Sequence, residues 1–376
     1  MLAYHPFFTI VFVALIAYSF LEVYSDEYRN FKSVWAIIGV LIILAGLRSW
    51  VGADYGEYVK MYRYFGQYTD YSEVFNKALF RETKLEIEWI WVLLGKIFFF
   101  FGSPFHYFAL LIAIISITTK YWAFEESVVY PALSMALYMF PSFFSGDMGQ
   151  MRQAAAMGIL LLSFVFIKNR NLPMFLLMVY LAMGFHKSSF VFILAYWIAT
   201  IKLTPSRMLM ILLLCMALSP FQIYNYIGIF EMLAPGDVYS GFSDYATIEN
   251  ENASGITFTD LLVIMYMFFM LTFDKQACEK IPYYEYMRNI GFVGMCIFYI
   301  FRMSPIFSGR LTAIYLVYMV MVLPNILAAI SNIQYRRYLH LVLVCFVVMY
   351  YFIYLNKFAY RAGFTIDTYR NHLLTW

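Results

Sequence analysis

Charge is what this sequence has least of. Lys, Arg, Asp and Glu together make up 13% of its 376 residues, about half the ~25% of an ordinary soluble domain. With 63% hydrophobic residues, the chain cannot cover its apolar surface in water. Its net charge of +3 is too small for recognition of nucleic acid, which calls for a concentrated basic surface. Cysteine is scarce as well. Cys215, Cys278, Cys296 and Cys345 form no CxxC pair, so they read as small buried hydrophobes and not as a disulfide or metal framework. No Asp/Glu/His ligand cluster is present, and neither a metal nor a cofactor is expected. Walker A, HExxH and GxSxG patterns are missing too, which removes nucleotide hydrolysis, zincin and nucleophile-elbow chemistry. No internal repeat or low-complexity linker marks off a soluble domain.

What the chain has instead is long apolar runs and aromatic residues, with 34 Tyr and 39 Phe. A bilayer must be its solvent, and backbone polar groups must then be satisfied within helices. A membrane β-barrel would show alternating segments of about ten residues, whereas these runs are continuous. They fall at 4–24, 33–47, 87–101, 105–122, 128–145, 151–167, 172–185, 189–201, 207–221, 258–273, 288–302, 310–331 and 338–355. The expected fold is all-α: a polytopic transmembrane bundle of 11–13 hydrophobic helices, several of them shorter than the ~20 residues of a full span. One integral membrane domain covers 1–376, with extramembrane loops at 48–86 and 222–257. The first run lacks a basic n-region and a small-residue cleavage site, so it reads as an anchor. Basic residues in short loops set orientation. Arg29/Lys32, Lys168/Arg170, Lys202/Arg207, Lys275/Lys280 and Arg336/Arg337 are placed in the cytoplasm and the N-terminus outside, with 87–101 re-entrant or peripheral. An N-terminus inside with 48–86 facing inward is the alternative.

Polar residues at membrane depth are costly and point to function. Arg48 follows an apolar helix directly, and Asp54 stands six residues later, beyond Gly52 in a turn. Gln150 and Arg152 head another helix, where Arg opposes the macrodipole unless an anion is bound. Ala154 and Gly158 on that helix form a small-xxx-small pair that admits a close neighbour. His186, Lys187, Ser188 and Ser189 cluster between two helices, and His titrates near neutrality. Arg302 and Arg310 frame a Pro/Gly turn, and guanidinium takes phosphate oxygens bidentately. The tail 361–376, with Asp367, Tyr369, Arg370 and His372, is polar and expected to be poorly ordered, with the weakest claim to function. The Tyr-rich loop 48–86 suits interfacial helices or a sugar-stacking vestibule. In the favoured orientation the four Arg and His groups share the outer side. With no acidic residue expected in mid-helix, that placement suits a lipid-linked anionic substrate better than an ion-coupled transporter.

Gly46-Leu47-Arg48 with Val51-Gly52-Ala53-Asp54-Tyr55, Met151-Arg152-Gln153, Phe185-His186-Lys187-Ser188-Ser189, Ile306-Phe307-Ser308-Gly309-Arg310 and Pro324 together resemble the EpsG family of bacterial exopolysaccharide polymerases, relatives of the Wzy-type polymerases. The residues before Arg310 depart from the family pattern. The resemblance implies a multi-pass protein of the bacterial cytoplasmic membrane, similar in architecture to GT-C glycosyltransferases. It would move a growing glycan from undecaprenyl diphosphate onto a lipid-linked repeat unit at the outer face. Implied partners are the undecaprenyl-diphosphate-linked oligosaccharide, membrane lipid, and flippase and chain-length regulator proteins. Arg152, Arg310, Arg48, Arg302 and Gln150 would bind the diphosphate substrate. His186, on the more rigid mounting, would be the base, and Asp54 would orient Arg48 or a sugar hydroxyl. A lipid-linked oligosaccharide flippase and an O-antigen ligase are the rival functions.

Overall fold

A computed structural model of the chain describes residues 5–25, 32–52, 54–222, 257–354, 363–365 and 367–373. In chain order the described helices are α1 (Pro6–Tyr24), α2 (Val34–Gly46), α3 (Tyr55–Tyr68), α4 (Tyr71–Ala78), α5 (Trp89–Phe100), α6 (Phe105–Ser127), α7 (Pro131–Tyr138), α8 (Met151–Leu162), α9 (Phe164–Lys168), α10 (Leu172–Met183), α11 (Ala195–Ile198), α12 (Pro205–Leu218), α13 (Phe258–Lys280), α14 (Tyr284–Ile300), α15 (Pro305–Leu316), α16 (Met319–Ala329) and α17 (Ile333–Tyr354). A π-helical stretch, Met139–Asp147, continues α7, and a 3₁₀ stretch, Lys187–Leu194, precedes α11. Each of the thirteen apolar runs therefore falls on helical backbone, and among the described residues no strand forms. Pro opens α1, α7, α12 and α15, where its missing N–H costs nothing. Thr257 and Asp260 close a reciprocal capping box on α13, satisfying two N-terminal donors. Of the loop 222–257 only Gln222 and Thr257 are described, and of the basic pair Arg29/Lys32 only Lys32.

Five helical segments are long and apolar enough to cross a membrane: Pro6–Tyr24, Phe105–Ser127, Met151–Lys168, Thr259–Lys280 and Ser308–Ala329. The chain is a multi-pass helical membrane protein. Helix α5 has 12 residues, about 18 Å at 1.5 Å per residue, well short of the ~30 Å hydrocarbon core. It packs against α3 and α4, the two helices formed by the Tyr-rich loop. Its lysine has a structural explanation: Lys96 Nζ donates to the Gly66 carbonyl at 3.2 Å, a cation placed at the C-terminal end of α3.

The chain packs as two compact units. The first comprises Met1–Val165, Leu177–His186 and Asn332–Trp376, and the second Phe166–Leu176 and Lys187–Ser331. In the first unit α6 and α8 approach closely at Gly158, where a Cβ would come within 2.7 Å of the Ser116 carbonyl oxygen. The small-residue stripe admits a neighbour as expected. In the second unit the same device joins α14 to α15: a Cβ on Gly294 would meet Leu316 Cα at 2.7 Å and Tyr315 C at 2.9 Å. Both are backbone atoms that cannot swing aside. Gly294→Ala is expected to destabilise the protein by about 1–3 kcal/mol, measured as a lower thermal midpoint in detergent. An unchanged midpoint would mean that the two helices part freely.

The expectation that acidic residues avoid helix interiors is wrong, for a definite reason: each acidic group meets a donor contributed by another element or by the facing side of a turn. Asp147, in the π-helical stretch, lies 2.8 Å from Lys120 Nζ, and both side chains are fully buried. Ser116 Oγ and Tyr138 OH each donate to Asp147 at 2.6 Å. In the second unit Asp274, within α13, takes two bonds from Arg288 Nη1 at 2.7 and 2.8 Å. Glu22, on α1, accepts from the Ala132 and Leu133 N–H groups at 2.7 and 3.1 Å, two of the orphan donors that open α7. One cysteine expectation also changes. The four thiols are free, but Cys345 is exposed.

Candidate functional site

Arg48 sits where α2 ends. The last carbonyls of any helix have no intrahelical partner, and the Arg48 side chain folds back to serve them. Nη1 donates to the Ala45 carbonyl, Nε donates to the Val51 carbonyl at 3.0 Å, and the guanidinium lies 5.6 Å from the Tyr55 ring centroid. The residue is 1% exposed, and no carboxylate among the described residues bonds to it. Burial pushes its pKa down, against the pull of Tyr55 and Tyr369. The loop that follows is pressed onto the chain before α8: Gly52 has φ +98°, and a Cβ there would strike the Met148 carbonyl oxygen. Asp54 takes the first position before α3, half-buried, and makes no side-chain capping bond.

Arg152 stands in the first turn of α8, with Gln150 half-buried just before that helix. Its Nη1 donates to Glu88 Oε2, and its guanidinium lies 5.9 Å from the Tyr58 ring centroid. Tyr58 is the link between the two arginines. Burial raises its phenol above the ordinary value; the Arg152 and Arg48 charges draw it back, and Asp54 adds to the rise. Arg48, Asp54 and Arg152 therefore share one electrostatic neighbourhood in the first unit. Arg48 Nη2 and Arg152 Nε are both buried without a hydrogen-bond partner among the described residues, which is rare for so strong a donor. A narrow cleft beside Arg48 is lined by that residue with Ala109, Ser116, Asp147 and Met151.

The turn before His186 reaches the same neighbourhood through backbone. The Gly184 carbonyl accepts from the Ile90 and Trp91 N–H groups at 2.9 and 3.2 Å, at the head of α5 just past Glu88. His186 itself is half-buried and donates its N–H to the Ala182 carbonyl at 3.0 Å. In the second unit, Arg302 spends its fork on Asp260: Nη1 pairs with Oδ1, and Nη2 donates to Oδ2 at 2.9 Å. Phe298 and Tyr299 flank the guanidinium at 5.8 Å. Arg310 is half-buried on α15.

Two further residues, Glu88 and Asp147, escape a reading of the sequence, and Tyr58 enters it only as one tyrosine of the 48–86 loop. Glu88 is one of several acids in a charged loop, set apart only by standing directly ahead of an apolar run. Tyr58 belongs to a buried stripe, Tyr55, Tyr58 and Tyr62, whose helical spacing was legible. Asp147 is a lone acid in an aromatic stretch. The tail also differs from expectation. Residues 363–365 and 367–373 are packed, with Tyr369 and Asn371 buried against the end of α2, because that helix end needs donors.

The sequence matches the EpsG family over residues 31–371. No curated protein and no solved structure matches the chain. A match across nearly the whole chain, on an apolar helical bundle that gathers Arg48, Arg152 and the turn before His186 in one unit, places this protein in the EpsG family, the family of exopolysaccharide and Wzy-type polymerases.

Proposed function

We propose that this protein extends a bacterial surface polysaccharide, an exopolysaccharide, capsule or O-antigen, by glycosyl transfer at the outer face of the cytoplasmic membrane. The donor is the growing glycan on undecaprenyl diphosphate, and the acceptor is a hydroxyl of a lipid-linked repeat unit. Beyond family membership, one observation carries this reading: two arginines set against Tyr55 and Tyr58 of α3, each with a buried N–H that no group among the described residues accepts. The acceptor oxygen bonds to the anomeric carbon, the bond from that carbon to the diphosphate oxygen breaks, and its electron pair leaves with the lipid diphosphate. Arg152, whose side chain is 17% exposed, contacts that leaving group. Arg48, fully buried, adds positive potential from behind it. Preorganised charge of this kind is often the largest catalytic effect in such a site. Gln150 lies at the same helix entrance. Arg310 is assigned a diphosphate contact by family resemblance, whereas Arg302, already paired with Asp260, is assigned a supporting role.

The test is a product assay with purified full-length protein and lipid-linked repeat units. A ladder of chain lengths supports the proposal. A single transfer to a different acceptor would make the protein a ligase, and movement of lipid-linked glycan without a new glycosidic bond would make it a flippase.

The acceptor proton goes to His186, and Asp54 orients Arg48 or a sugar hydroxyl. A step that needs a base slows as the base is protonated. His186→Gln is therefore expected to remove the acid limb of the pH–rate profile and to lower the rate by about 10²–10⁴-fold. Asp54→Asn should keep that limb at a reduced rate. The reverse pattern exchanges the two roles, and wild-type rates in both variants would leave neither residue catalytic.

A further inference from the structure

The end of α2 is held by a segment more than 300 residues away in sequence. The Leu44 carbonyl accepts from Tyr369 OH at 2.8 Å, and the Ile43 carbonyl accepts from Asn371 Nδ2 at 3.0 Å. The same Nδ2 donates to Tyr369 OH at 3.0 Å, and Asn371 Oδ1 accepts from the Leu373 N–H at 3.0 Å. Asn371 is 1% exposed, so its bonds are made out of water. Backbone bonds continue the attachment along the residues that flank Arg48. The His372 N–H donates to the Leu47 carbonyl at 2.8 Å, and the Ser49 N–H donates to the Arg370 carbonyl at 2.9 Å. Arg48 and Asn371 thus form an isolated antiparallel bridge. Nearby, the His372 ring stacks on His106 with centroids 4.0 Å apart.

Of the last four carbonyls of α2, that of Leu44 is met by Tyr369 and that of Ala45 by Arg48 itself, whereas that of Ile43 takes Asn371 as a second donor beside the Leu47 N–H. A buried carbonyl left without a donor costs more than the bond it loses. Without residues 369–372 the helix end would rearrange, and the backbone on both sides of Arg48 would lose its partners. Arg48 cannot then stay aligned with Tyr55 and Tyr58.

We propose that the C-terminal segment is a fixed strap that positions Arg48, and that Asn371 is its key positioning residue. The inference rests on the catalytic reading of Arg48 given above. Asn371 does not touch substrate; it acts through Arg48.

The test separates the strap from the function. Full-length wild type and Asn371→Ala in detergent micelles are first treated briefly with trypsin. Arg370 is exposed, but its carbonyl is bonded to Ser49. Cleavage after Arg370 should be slow in wild type and about tenfold faster in Asn371→Ala. Equally rapid cleavage in both would overturn docking of the strap, whatever the enzyme does. The second step is a double-mutant cycle on polymerisation rate. Asn371→Ala alone should lower kcat by at least about tenfold with little change in KM, and should add nothing in an Arg48→Ala background, since residues acting through one another are non-additive. Additive losses would overturn the positioning role. Asn371→Asp, which keeps the acceptor but not the Nδ2 donor, should behave like Ala, and wild-type rates in it would also overturn the role. A fully active Arg48→Ala variant with slow wild-type cleavage would instead overturn the catalytic reading of Arg48 and leave the docked strap standing.

Discussion

Arg152→Lys lowers the polymerisation rate by about 10²–10³-fold, the range seen when one preorganised donor to a developing anion is lost. Lys keeps the charge but presents no planar fork. In this site the fork already divides its donors, with Nη1 on Glu88 and the flanking face on Tyr58. A single ammonium can hold Glu88 or reach a diphosphate, but not both with the same geometry. Arg152→Ala should abolish activity, but it also strands Glu88 beside Tyr58. The Lys variant is therefore the cleaner measurement, since it leaves a cation for Glu88. The readout is the rate of ladder formation together with the yield of monodisperse protein in detergent. Wild-type rates in Arg152→Lys would count against a bidentate role. A collapse in yield for the Lys variant would make Arg152 a structural residue.

Lys120→Met costs about 3–5 kcal/mol, the penalty for leaving a buried charge without its counter-ion. Asp147 keeps its donors Ser116 and Tyr138, but neither neutralises it. Little folded protein should survive extraction. Removing both charges, in Lys120→Met combined with Asp147→Leu, should restore most of the folded yield, because a buried ion pair replaced by apolar groups is often neutral or better. Size-exclusion profiles of the three forms decide the matter. A stable Lys120→Met single variant would show that the pair contributes nothing. Asp147 is followed directly by the Met148–Gln150 segment that leads into Arg152, so the same anchor supports the site.

The membrane bundle was legible because continuous apolar runs leave the backbone no choice but helix. Arg48 and Arg152 were legible because an arginine beside such a run is costly unless it has a purpose. Their partners were not. Glu88 lies 64 residues from Arg152, and Asp147 lies 27 from Lys120, separations at which nothing in a local pattern couples two charges. Helices α3 and α4 were legible only as interfacial helices somewhere in 48–86: the spacing of Tyr55, Tyr58 and Tyr62 follows a helix face, but the Tyr and charge content equally suits a loop. Asn371 has no pattern of any kind. Its importance comes from bonds to the end of α2 and to Tyr369, which rest on backbone and fold and not on any side-chain motif.

The bonds from Ala132 and Leu133 to Glu22 cross 110 and 111 residues of chain, and this has a consequence for biogenesis. At about 5–20 residues per second of synthesis, the first helix leaves the ribosome roughly 5–20 s before the start of α7 exists to receive its carboxylate. Through that interval the Glu22 carboxyl lacks the two N–H donors that it has in the finished fold. The contacts of the first helix with α7 are therefore completed only after six helices have been made, and this bundle does not pack strictly in the order of its synthesis.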